Sequence, residues 1–284
     1  MKDYLVKAIT SGGMFRAYAV NGHQMVADAQ VKHDTWSASS AALGRTMIGS
    51  TLLAASVDKN GAAITVKING GGPVGQILVD ADSHGHVKGY ISEPHVHLPL
   101  NKFHKIDVAQ AVGINGGLEV NKILENGDPY TSSVPLASGE IGDDFTYYLA
   151  QSEQIPSAVG VSVFVNEDNS IGAAGGYLVQ VLPGATDEAI DNLTKRMKEM
   201  PMLSELLLKE QSPEDILNLL FGEDNLKFLT TEPVEFYCNC SKDKFRNDLV
   251  GIPVDQLKEI LTEDGKIDVV CNFCQSKYHY DEAD

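Results

Sequence analysis

The chain has 284 residues, 43% of them apolar, enough for a packed core and enough to exclude wholesale disorder. It carries 39 acidic against 22 basic residues, a formal net charge of −17. That balance argues against a phosphate-backbone binder, which needs clustered Lys and Arg to release counterions.

The opening residues Met1-Lys2-Asp3-Tyr4-Leu5-Val6 include an acid and no long apolar run. No secretory signal is expected, and the reading is a cytoplasmic protein, where thiols stay reduced and structural disulfides are rare. Val6–Thr10 and Phe15–Val20 predict strands around a Ser11-Gly12-Gly13 turn. Ala38–Ala55 predicts a helix whose small residues Ala41, Ala42, Gly44 and Gly49 let a second helix approach closely. Its surroundings, Trp36 to Ser56, are the most membrane-like stretch, but Arg45, the glycines and seven Ser or Thr residues indicate a buried helix, and no membrane partner is expected. A break at Asn60-Gly61 follows. Strands are then predicted at Ile64–Ile68, Val74–Val79, His86–Ile91, Gly117–Leu124 and Ser157–Asn166, with a short helix at Gly142–Ser152. Runs of strands with few intervening helices predict an α+β domain over residues 1–183, with a largely antiparallel sheet and packed helices.

Residues 184–231 change character and predict a helical linker, with Met197, Met200, Met202 and a cluster at Leu203, Leu206, Leu207 and Leu208. Ser212-Pro213-Glu214-Asp215 is a helix start: a hydroxyl cap, proline at the first helical position and acids near the positive helix end. Ile216, Leu217, Leu219 and Leu220 supply its apolar face, and Gly222 ends it. So many apolar residues in so short a segment require a partner surface.

Residues 232–284 form a small C-terminal section that holds every cysteine of the chain, as Cys238-Asn239-Cys240 and Cys271-Asn272-Phe273-Cys274, thirty residues apart. Between the pairs lie two helical patterns, Phe245 with Leu249, then Val254, Leu257, Ile260 and Leu261; Ile267–Val270 leads as a strand into Cys271. Two close pairs joined by a mini-domain predict tetrahedral four-thiolate zinc ligation by Cys238, Cys240, Cys271 and Cys274. Zinc is preferred because neither compartment nor spacing demands redox iron, although thiolates also suit iron. A section this short is marginal on a hydrophobic core alone. Structural zinc contributes ~10–16 kcal/mol in small peptides, against a typical net stability of ~5–15 kcal/mol for a whole domain. The metal is therefore expected to decide whether the section folds. The same pairs can also close as local disulfides, which would turn oxidation into a folding switch. Disulfides prefer Cα separations of ~4.4–6.8 Å, and an extended CxC pair lies near the upper edge, so closure there is expected to need prior unfolding.

The chain resembles the heat-shock protein 33 family of redox-regulated holdase chaperones. The likeness rests on Cys238-Asn239-Cys240-Ser241 and on Cys271-Asn272-Phe273-Cys274 followed by Tyr278. It extends to Ala41-Ala42-Leu43-Gly44-Arg45, Gly70-Gly71-Gly72-Pro73 with Gly89-Tyr90, Ser152-Glu153-Gln154 and Ala174-Gly175-Gly176. One family position, an arginine, is Lys88 here. The resemblance implies a reduced, zinc-bound protein that is inactive as a chaperone. Peroxide or hypochlorous acid, with unfolding conditions, would form Cys238–Cys240 and Cys271–Cys274 and release zinc. The zinc section and then the linker would lose structure, and the protein would dimerise and hold unfolding clients without ATP. No enzymatic activity is implied.

Two other functions fit a four-cysteine tail less well. A zinc-ribbon nucleic-acid binder lacks its basic surface, since residues 232–284 carry twelve acids against six bases. A thiol–disulfide oxidoreductase using Cys271 and Cys274 lacks a thioredoxin-like setting.

Elsewhere, Gly70-Gly71-Gly72 lacks the Lys-Ser/Thr of a phosphate loop and predicts a tight turn. His84, His86, His95, His97 and His104, with Asp80, Asp82 and Glu93 nearby, are read as solvated strand and loop residues, with metal binding the lesser alternative. His279 could act on the cysteine site through its charge. Ser138-Gly139-Glu140 and Ser152-Glu153 have no nucleophile elbow, and Asp143, Asp144 and Glu153 are read as helix-end or surface acids. Arg45 is expected to pair with a buried carboxylate.

Overall fold

Two sheets enclose one long helix in the first of two compact units, residues 1–236 and 237–284. The computed structural model describes residues 2–57, 62–123 and 128–281; the break expected at Asn60-Gly61 and the strand end at Leu124 lie outside these.

In chain order the first unit comprises β1 (Tyr4–Thr10), β2 (Phe15–Asn21), α1 (His23–His33), α2 (Ser37–Ser56), β3 (Ala63–Asn69), β4 (Ile77–Asp82) and β5 (His86–Ile91). Then come α3 (Val108–Val112), β6 (Gly117–Ile123), β7 (Tyr130–Pro135), α4 (Gly142–Gln151), β8 (Ser157–Val165) and β9 (Ile171–Val181). It closes with α5 (Asp187–Glu199), α6 (Leu203–Leu208), α7 (Pro213–Phe221), β10 (Leu226–Pro233) and β11 (Glu235–Phe236). One sheet has the order β10-β1-β2-β9-β8 and is antiparallel throughout. The other runs β11-β5-β4-β3-β6-β7, antiparallel except for the short β11–β5 pair. The α+β class with antiparallel sheets is as the sequence predicts.

α2 is buried along nearly its whole length, which its even spread of Ala, Ser, Leu and Gly allows. Small positions let neighbours close in. A Cβ at Gly49 would lie 2.4 Å from the Phe145 ring of α4, and one at Gly44 would lie 2.6 Å from Val26 of α1. Among the described residues, no helix is long and apolar enough to cross a membrane.

Two predicted elements shift. The strand expected from Val74 begins at Ile77, because Val74 donates its N–H to Ala111 and Gly75 turns the chain at φ 68°. The segment predicted as helical through residue 231 ends its α-helices at Phe221, makes a 3-10 turn at Glu223–Asn225 and becomes strand β10, where the run Phe228-Leu229-Thr230-Thr231 favours a pleated backbone.

Residues 187–221 lie on the outer face of the first sheet. Leu193 of α5 and Leu217, Leu220 and Phe221 of α7 pack with Ala8, Phe15, Ala17, Ala19 and Val179 of β1, β2 and β9. Leu207 of α6 and Ile216 of α7 pack with Ala173 of β9. β10 then pairs along β1 from Tyr4↔Pro233 to Thr10↔Leu226. Helices on the face and a strand at the edge thus form one strap, and pairing through Phe236 puts the end of the first unit there.

The second unit contains α8 (Lys242–Leu249), α9 (Val254–Asp264) and a hairpin of β12 (Ile267–Val270) and β13 (Lys277–Tyr280). Ser241 caps α8, accepting from the Lys244 N–H at 3.2 Å, and Gly265 ends α9 at φ 71°.

Candidate metal centre

There is no hydrophobic core cluster among the described residues of the second unit. Among its described residues only Cys271 and Tyr280 are buried. Val250 and Val254 stand 78% and 63% exposed, so apolar burial contributes little to holding α8 and α9 in place.

The thiols sit where the local backbone brings them together. Cys238 and Cys240 lie on the non-helical stretch before α8, one residue apart. Cys271 follows β12, and the hairpin loop turns through Cys274 with Gln275 at φ 60°. The Gln275 N–H donates to Cys271 O at 2.8 Å and the Cys271 N–H to Ser276 O at 2.9 Å, closing the knuckle. Inside it, backbone N–H groups of Phe273 and Cys274 donate to the Cys271 sulfur, and that of Cys240 to the Cys238 sulfur.

All four Sγ atoms lie within 4.8 Å of one another, and this is the one such grouping of metal-type ligands among the described residues. A tetrahedron with metal–sulfur bonds of ~2.3 Å has edges of ~3.8 Å. Cys238 Sγ and Cys271 Sγ are 3.8 Å apart, and Cys240 Sγ and Cys274 Sγ are 3.2 Å apart. The four cysteines are free thiols. Donor chemistry and spacing both fit a soft tetrahedral cation, so the set can hold a metal ion.

Electrostatics favour the same occupant. Burial pushes the Cys238 thiol up to about 12, with the Cys240, Cys274 and Cys271 thiols adding and the Cys240 N–H opposing. Burial also raises Cys271. Burial acts the same way on Cys274, but hydrogen bonds from the Ser276 hydroxyl and N–H, helped by Cys240 and Cys271, bring it down to about 6. Packed thiols ionise together only with a cation between them.

Around the sulfurs stands a layer the sequence did not single out for this role. Tyr278 places its hydroxyl 3.2 Å from Cys240 Sγ, which pushes the phenol up to about 12, and its ring 5.3 Å from Phe245. Tyr280, 3% exposed, donates to Lys242 O at 2.6 Å, with Lys242 Nζ over its ring. Alternation along β13 gives the signal: Tyr278 and Tyr280 share one face. His279 takes the other, exposed and paired with Asp268 beside Lys266.

The remaining candidates resolve as structure. His86 bonds Asp82 at 3.0 Å, with Glu235 3.7 Å away; His95 bonds Asp34 at 3.0 Å and stacks on Trp36; His97 bonds Ser37 at 2.8 Å. The Gly70-Gly71-Gly72 loop is filled by chain, since a Cβ at Gly70 would lie 2.2 Å from Gly113 O. Arg45 pairs with Glu140 at 2.7 Å, a carboxylate 41% exposed where a buried one is expected. Asp144 is fully buried at the start of α4 and accepts from the N–H groups of Ala137, Ser138, Gly139 and Ile141. Glu153 is tied to Tyr148 at 2.6 Å and to Lys122 at 2.6 Å.

A family model described as Hsp33 protein matches residues 3–281. A protein of Levilactobacillus brevis named 33 kDa chaperonin is 57% identical over 284 residues, covering 100% of this chain and 96% of the relative. One of the same name from Enterococcus faecalis is 48% identical, covering 100% and 95%. The crystal structure of a 33 kDa chaperonin (heat shock protein 33 homolog) from Thermotoga maritima matches with a TM-score of 0.92 at 33% identity, covering 100% of this chain and 96% of that one.

Proposed function

This chain belongs to the Hsp33 chaperone family, and from that premise we propose that it is a cytoplasmic, ATP-independent holdase, not an enzyme, that oxidation switches on. The observation that carries the reading is a four-thiol cluster in a unit with two buried residues among those described.

In the resting state Cys238, Cys240, Cys271 and Cys274 hold one zinc ion as thiolates. Bound zinc supplies a tetrahedral cross-link that substitutes for a hydrophobic core. When peroxide is the oxidant, a thiolate pair gives up two electrons for each disulfide formed, the O–O bond breaks, and two protons from solvent complete two waters. Cys238–Cys240 and Cys271–Cys274 then no longer offer thiolates, and α8 and α9 lose their anchor. Residues 184–231 act as the linker, and the strap they form with β10 releases next. Its departure bares Phe15, Ala17 and Val179 on the sheet face and Leu217, Leu220 and Phe221 on the strap, an apolar surface fit for unfolding proteins. It also leaves β1 as an open edge, which supports a homodimer of the activated form. Neither nucleic acid nor membrane is a partner in this scheme.

The test is light scattering of a thermally unfolding client with no ATP present. Suppression by the peroxide-treated protein and none by the reduced zinc form supports the reading; equal behaviour of the two forms contradicts it.

A further inference from the structure

The strap is held by an apolar contact whose rim is rich in thioethers. Met14, Met197 and Met200 are partly buried and pack against the cluster of Phe15, Leu193, Leu217, Leu220 and Phe221. Met14 stands at the entry to β2, where its N–H donates to Thr10 Oγ1 at 3.1 Å and its carbonyl accepts from Leu182 N–H at 2.9 Å. Met197 lies in the last turns of α5 and Met200 just past its end. Met202, 46% exposed, follows before α6. Met25 and Met47, by contrast, are 1% and 0% exposed in the main core.

Exposure decides which thioethers an oxidant reaches first, and location decides the structural consequence. Oxidation of Met to the sulfoxide turns a flexible apolar side chain into a polar one. In this cluster the new S–O dipole would lie against Ala17, Ala19, Phe15 and leucines, an apolar contact. A polar group left unpaired in such a contact weakens it.

We propose that Met14, Met197 and Met200 are a second oxidant-input site, at which sulfoxide formation loosens the strap independently of the cysteines. The inference rests on the strap being the releasable element of the proposed function. With a hypohalous acid as oxidant, the sulfur gains an S–O bond and loses two electrons, the O–Cl bond breaks, and chloride and a proton leave. With a peroxide, the O–O bond breaks and water leaves. A dithiol reductant restores disulfides to thiols but does not return methionine sulfoxides, so the site stays modified after the thiols are restored.

The experiment uses the full zinc-loaded chain. It is treated with hypochlorous acid, reduced with dithiothreitol and reloaded with zinc, which returns the thiols and leaves sulfoxides in place. Peptide mass mapping should find the added oxygen on Met14, Met197 and Met200 before Met25 and Met47. Amide exchange across residues 213–221 should run at least about fivefold faster than in untreated protein, the change expected for an unpaired polar group in an apolar contact. Methionine sulfoxide reductase should return it to the untreated rate. The triple variant Met14→Leu, Met197→Leu, Met200→Leu, which conserves volume and removes the thioethers, should show no acceleration. Sulfoxides at all three positions with unchanged exchange, core methionines reacting first, or the same acceleration in the triple variant would each overturn the proposal. Exchange needs no client, so its outcome is separable from that of the holdase test.

Discussion

The Tyr4 hydroxyl, on the first strand, donates to Glu214 Oε2 at 2.7 Å in the first turn of α7. One hydrogen bond thus joins two residues 210 positions apart and fastens the strap to the strand it covers. Burial, then the Glu214 carboxylate, raises the phenol above its usual range, so Tyr4 remains a donor throughout physiological pH.

Tyr4→Phe removes that bond and leaves the ring. The loss should be about 1 kcal/mol, the scale of a hydrogen bond to a charged acceptor discounted for partial exposure. Amide exchange in α7 should accelerate while the main core keeps its protection, and the oxidant dose for client binding should fall. Unchanged α7 exchange contradicts the role of the bond.

Gly175 of β9 leaves the space that Leu207 of α6 fills. A Cβ there would lie 2.8 Å from Leu207 Cδ2 and 2.6 Å from Val20 O. Gly175→Ala should therefore displace α6 and destabilise the chain by about 1–3 kcal/mol, as overpacking does. Limited proteolysis should cut between residues 199 and 213 faster than in the parent. Equal cutting rates would mean that α6 tolerates the shift.

Cys271→Ser removes the buried thiol of the metal set. Zinc content should drop well below one ion per chain, and the helical signal of α8 and α9 should be lost while the core around α2 keeps its unfolding transition. Retention of that signal without metal would show that the second unit folds by other means.

Asp3 carries a pH dependence. Its carboxylate accepts from Met25 N–H at 2.7 Å at the start of α1, and its Oδ1 is buried without a partner. Burial raises its pKa above the ordinary 3.8, against the backbone hydrogen bonds of Met25 and Gln24 and the charge of His23, which lower it. The folded state therefore binds this proton more tightly than the unfolded chain does. The contribution to stability is full below 3.8 and lost as pH rises through the folded value. Asp3→Asn should raise Tm relative to the parent at neutral pH, and the difference should shrink as pH falls towards 3.8. A difference constant with pH contradicts this.

The clustering of the four cysteines was legible because its information is local: a CxC and a CxxC need only their own turns to present paired sulfurs. The start of α7 was legible for the same reason, and Ser212 and Asp215 exchange hydrogen bonds there as a capping box. β9 was missed. Its Gly172, Gly175 and Gly176 weaken a strand pattern, yet Gly176 lets Ile48 of α2 approach and Gly175 admits Leu207. β10 fell inside the segment drawn as a helical linker and was not foreseen, because its partner, β1, lies at the far end of the chain. Tyr280 was missed because its burial comes from the hairpin it closes.

Everything in the switch depends on the cysteine unit needing its metal and on the strap needing the cysteine unit. Hydrogen exchange over the whole chain, followed together with zinc release after peroxide and mild warming, tests both at once. The account predicts about one zinc released per chain, with lost protection in α8 and α9 and then in α5 to α7 and β10, while α2 stays protected. Zinc release with α5 to α7 and β10 as protected as before would contradict it.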